Sequence, residues 1–122
     1  MQTSVENAET EICQAVNQFE KDYMGQDPEE IVSFIVKDLV VVRIRGAFAP
    51  AELNLVRRED SAHWRDKLRN FSSELIEHGR MVIEASIRDI VGVSVESTFT
   101  DISETGERII VFTLGESPTF RE

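Results

Sequence analysis

The chain has 122 residues, of which 41% are hydrophobic and 30% charged, a balance suited to one folded domain with a core of its own. The formal net charge of −10 disfavours a phosphate-backbone partner, because nucleic-acid affinity is largely counterion release by Lys and Arg. The single cysteine, Cys13, excludes an internal disulfide and fits a reducing compartment. Lys21 is the only base in the first thirty residues, so no secretory signal is expected. No apolar run approaches the ~20 residues of a membrane helix.

Beyond a short tail over about 1–3, Ile12, Val16, Phe19 and Tyr23 recur at helical spacing. They predict an amphipathic helix over about 4–24, capped by Thr3 or Ser4 and stopped at Gly25. Cys13 borders that stripe as a small packing residue, with no basic neighbour to activate it. Asp27-Pro28-Glu29-Glu30 has the form of a helix start, but the β-branched and aromatic run that follows favours a strand over about 31–36. Lys37-Asp38 then forms a turn. Leu39–Arg45 is the clearest strand: Val40, Val42 and Ile44 share one face, and Leu39, Val41, Arg43 and Arg45 the other.

Gly46 ends this strand and Pro50 opens a short helix over Ala51–Glu59, with Leu53 and Val56 inward and Ala49 as a poor cap. Asp60 or Ser61 can cap a third helix. Along it Trp64, Leu68, Phe71, Leu75, His78 and Val82 form a heptad-like seam, and Gly92 stops it. If Gly79 does not break this helix it spans about 45 Å, longer than a domain of this size is wide. Val93–Thr100 alternates as a half-buried strand, with Val93, Val95, Ser97 and Phe99 on one side. A polar loop over Asp101–Gly106 leads into a returning strand over Arg108–Leu114, and 115–122 reads as a tail. The expected architecture is a two-layer α+β fold of order α-β-β-α-α-β-β. Its four-stranded antiparallel sheet is covered on one face by helices, one of them long.

Three segments carry a family likeness: Asp38-Leu39-Val40-Val41-Val42-Arg43, Gly46-Ala47-Phe48-Ala49-Pro50-Ala51-Glu52 and Asp101-Ile102-Ser103-Glu104-Thr105-Gly106-Glu107-Arg108. In order and spacing they resemble the YbcI-like bacterial domain-of-unknown-function family, over about residues 8–115. The resemblance implies a small cytosolic protein of the kind found in Gram-positive bacteria and cyanobacteria, and it brings no catalytic assignment. The family often has Thr where this chain has Ala49, which removes the cap before Pro50.

No motif assigns an activity. Asp101, Ser103, Thr105 and Gly106 imitate the first half of a calcium loop, but the twelfth position is Phe112, so a polar hairpin is the better reading. His63 and His78 lack zinc spacing, and no phosphate loop or nucleophile elbow is present, so no metal site and no cofactor are expected. Arg57, Arg58, Arg65, Lys67 and Arg69 form a basic run, but Glu52, Glu59, Asp60 and Asp66 interleave with it, so nucleic acid is not an expected partner. Arg43 and Arg45 point the same way. Together they form either an ion-pair network with Glu96, Glu107 or Glu52, or a site for a small anion.

The seam from Trp64 to Val82 favours a cytoplasmic, homodimeric interaction or regulatory protein that pairs with itself or with another cytosolic protein. The alternative is a sensor or enzyme that holds an anionic ligand at Arg43 and Arg45, though the absence of acid/base and nucleophile signatures weighs against catalysis.

Overall fold

The computed structural model describes residues 4–46, 61–103 and 105–121. The expected helix over Ala51–Glu59, its start at Ala49-Pro50 and the partner Glu52 lie outside these residues.

Helix α1 runs Val5–Phe19. Ser4 caps it, its hydroxyl accepting from the Asn7 amide at 3.2 Å, and Glu6 lies in the first turn near the positive end of the helix dipole. Ala8, Ile12, Val16 and Phe19 form the buried stripe. The chain then continues as a π-turn over Glu20–Met24 and stops at Gly25, whose φ of 65° is easy only for glycine. The wider turn shifts the helical phase. Glu20 and Met24 therefore turn inward, while Tyr23, expected on the apolar stripe, is largely exposed and stacks on Phe19 at 5.1 Å.

Strand β1 (Glu30–Val36) confirms the strand reading of the segment after Pro28. It pairs antiparallel with β2 (Leu39–Arg45) across the Lys37-Asp38 turn, where Lys37 takes a φ of 55°. Helix α2 spans Ser61–Val91 without interruption, 31 residues or about 46 Å. Gly79 does not break it. A Cβ there would lie 2.5 Å from the Phe19 ring and 3.1 Å from the Tyr23 ring, so the glycine is what lets α1 and the π-turn lie directly on α2.

Strand β3 covers Val95–Ile102, about two residues later than expected, and β4 covers Arg108–Leu114. The sheet order is β1-β2-β4-β3, antiparallel throughout, with β2 and β4 at the centre. Both helices lie on one face. There Val40, Val42, Ile44, Ile110, Phe112 and Leu114 meet Ile12, Val16, Phe19, Ile83, Ile87 and Val91. The C-terminal segment does more than trail: Phe120 packs against this core, and Arg121 forms a bridge with Ser4.

α1 also guards the β1 edge. The Glu9 carboxylate accepts from the Ile35 amide at 2.9 Å, and the Ser33 hydroxyl donates to the Glu9 carbonyl at 2.7 Å. The Cys13 thiol lies 3.5 Å from the Ile31 carbonyl and 3.4 Å from the Ser33 hydroxyl, a packed position as expected. Edge amides satisfied from a helix cannot recruit a foreign strand.

Candidate functional site

The face of the sheet turned away from the helices is the most distinctive surface of the described residues. The register aligns its side chains in rows across all four strands. The central row is Phe34, Val41, Val111 and Phe99. On one side lie Val36, Leu39, Thr113 and Ser97, the last two joined through their hydroxyls. On the other lie Val32, Arg43, Ile109 and Asp101. Phe34 is 47% exposed and Phe99 56%, high values for side chains inside ordered strands, and Val36 at the end of β1 is 53% exposed.

The sequence makes this apolarity in two ways. Strands β1, β2 and β4 carry near-continuous apolar runs, a pattern typical of strands buried on both faces, whereas a two-layer fold needs only one. In β3 the cause is a register shift between Val95 and Ser97. Simple alternation expects Val95 and Phe99 on the same side. The irregularity separates them: Val95 packs against the core and Phe99 turns outward. Thr98, opposite Phe112, instead faces the helix layer and donates its hydroxyl to Glu84 of α2.

A charged cluster closes one end of this face. Arg45 donates through Nε to Glu107 at 2.8 Å and lies 3.5 Å from Glu30, which also approaches Arg43 at 3.9 Å. Glu107 is one of the partners expected from the sequence. Glu30 was missed, because it stands at the mouth of a segment that also reads as a helix start. Glu96 binds the Ser94 hydroxyl instead. Arg43 Nε has no hydrogen-bond partner among the described residues.

The loop after β3 is a closed local network. Asp101 accepts from the Ile102 amide at 2.8 Å, Ser103 Oγ accepts from the Glu107 amide at 3.1 Å, and the Ser103 and Thr105 hydroxyls meet at 2.9 Å. Among the described residues no three His, Cys, Asp or Glu side chains converge to hold a metal.

The helical seam lies elsewhere. On α2 the core-facing positions are Ile76, Gly79, Ile83, Ile87 and Val91, whereas His78 and Val82 are exposed beside Met81. The side chains of Trp64, Leu68, Phe71 and Leu75 are outside the described ones.

One further pair escaped the sequence. Arg108, the first residue of β4, forms an ion pair with Glu20 of the π-turn, and the two side chains are 1% and 0% exposed. Burial pulls the guanidinium down to about 10, still charged at neutral pH. The pair pins the π-turn after α1 to the turn end of the β3–β4 hairpin and reads as an architectural contact.

These features define a small two-layer α+β protein with a partly exposed apolar sheet face and, among the described residues, no assembled catalytic group. The family described as "Na+-translocating membrane potential-generating system (MpsC)" matches residues 4–116, and the chain belongs to it. It is 33% identical over 115 residues to the uncharacterized protein YbcI of Bacillus subtilis (strain 168), a match that covers 93% of this chain and 90% of that protein. This agrees with the likeness read from the motifs. No solved structure matches. Among the described residues no helix is long and apolar enough to cross a membrane.

Proposed function

We propose that this chain is a cytoplasmic, non-catalytic interaction module that self-associates and serves as an accessory component of a Na+-translocating membrane potential-generating system. The observation that carries this reading is the apolar row Phe34, Val41, Val111 and Phe99, whose two phenylalanines are exposed and two valines half-buried. An apolar surface of this extent on an ordered sheet is a place where another surface docks. The family description supplies the system. With no helix fit to span a membrane among the described residues, the part that suits this chain is one played at the edge of the ion path.

The test has two arms. Light scattering at micromolar concentration is expected to give a species larger than 13.9 kDa, and a stable 13.9 kDa species ends the claim of self-association. Deleting the gene in its host is expected to lower the membrane potential at limiting Na+, read with a potential-sensitive dye. An unchanged potential across Na+ concentrations removes the link to the system.

The second reading, a sensor or enzyme holding an anion at Arg43 and Arg45, draws on the unpartnered Arg43 Nε. It has less support, because Glu107 and Glu30 already occupy the guanidinium groups. A thermal-shift panel of nucleotides, phosphorylated metabolites and carboxylates tests it. A shift that Arg43→Ala abolishes would favour it, and no shift with any anion would remove it.

A further inference from the structure

We infer that the open face of the sheet is the surface through which two copies of this chain pair, face to face, about a two-fold axis parallel to the strands. The inference rests on the self-association proposed above and locates it away from the helical seam.

Three observations point to a second copy. The first is the pattern of β1, β2 and β4, whose apolar runs suit a sheet buried on both faces although the described helices cover only one. A fixed copy of the same sheet supplies the missing layer, as in a sandwich whose sheets pack about 10 Å apart.

The second is self-complementarity. A two-fold axis along the strands places β1 of one copy over β3 of the other and β2 over β4, with each row kept at its own level. Phe34 then falls opposite Phe99 of the second copy, and Val41 opposite Val111. A shallow hollow lined by Phe99, Asp101, Ile109 and Val111 lies where the Phe34 ring of the second copy arrives. In the next row Asp101 of one copy comes beside Arg43 of the other, opposite charges on neighbouring strands.

The third is area. Four strands about 4.8 Å apart, three of them seven residues long and β3 eight, give a flat footprint of roughly 440 Å² per copy, or about 900 Å² for the pair. Side-chain relief enlarges a flat footprint, which brings the contact to the ~1,000 Å² that a specific interface needs.

The experiment is sedimentation velocity on the full chain and on Phe34→Glu, Phe99→Glu and Met81→Glu. Met81 is 83% exposed on α2 and serves as the helix-side control. The wild type and Met81→Glu are expected to sediment as a dimer of 13.9 kDa chains, and either face variant to weaken the dimer at least tenfold. Phe34 and Phe99 are about half exposed, so both variants should fold, as circular dichroism will show; Phe99→Ser replaces any that does not. A dimer that survives every face variant overturns the sheet interface and leaves self-association standing, and its loss in Met81→Glu alone moves the contact to the helix. A monomeric wild type overturns both.

Discussion

Arg108 at the first position of β4 is held by the carboxylate of Glu20 in the π-turn, with both side chains shut away from water. Neither charge has a solvent shell, so each depends on the other. Removing one leaves a buried ion alone, which costs about 3–5 kcal/mol. Glu20→Ala is therefore expected to lose most of the stability of the chain in urea unfolding. The double variant Glu20→Leu/Arg108→Met should recover much of it, because a well-packed apolar pair can replace a buried ion pair at little cost.

The same arginine gives a pH signature. Its folded value, lowered by burial to about 10, lies below the ordinary arginine value. Between these values the unfolded chain binds more protons, so the contribution of Arg108 to stability rises with pH there and is level below about 10. Urea unfolding of wild type and Arg108→Met is expected to give a difference constant from pH 7 to 9 that begins to move in favour of Arg108 near pH 10. A slope from this residue near neutrality would contradict the assignment.

Gly79 is a helix-interior glycine that should not be improved. Alanine usually gains about 1 kcal/mol at such a site. Here its methyl group would enter the Phe19 ring, and overpacking costs about 1–3 kcal/mol. Gly79→Ala is expected to lower the melting temperature by a few degrees, and Gly79→Leu by more. Phe19→Leu should relieve part of the clash when combined with Gly79→Ala.

Glu9→Ala removes the acceptor for the Ile35 amide on the β1 edge. A loss of about 1 kcal/mol is expected, with faster hydrogen exchange at Ile35 and a greater tendency to aggregate. Unchanged exchange at that amide would show that the contact is not formed in solution.

The Arg45–Glu107 pair should behave differently from the buried one. Arg45 is about half exposed, and surface pairs contribute about 0–1 kcal/mol. Glu107→Gln is expected to change stability by less than 1 kcal/mol, and by less still in high salt. A larger loss would mean that the charged end of the sheet carries more of the fold than its exposure implies.

β2 was legible because its alternation leaves no other reading, and the α1 stripe because four apolar residues mark it. Helical spacing failed at Tyr23, where a π-turn breaks the phase without any marker in the residues themselves. Glu20 and Arg108 escaped because charged residues at element ends normally read as solvated; only the fold brings them together. Of the candidate site, Arg43 and Arg45 were visible as a pair on one strand. The apolar rows beside them were visible too, had the two-sided character of β1 and β4 been weighed against a fold with one helical layer.

The irregularity near Glu96 has a wider reach than its size suggests. Because strand periodicity is two, absorbing Glu96 as an ordinary strand position would invert every later position of β3, carrying Phe99 toward the helices and delivering Thr98 and Thr100 to the outside, whereas deleting it would leave Phe99 outward opposite Val111. The greasiness of this surface is therefore a property of backbone register as much as of residue choice. A relative one residue shorter at this point would present the same exterior from a regular strand.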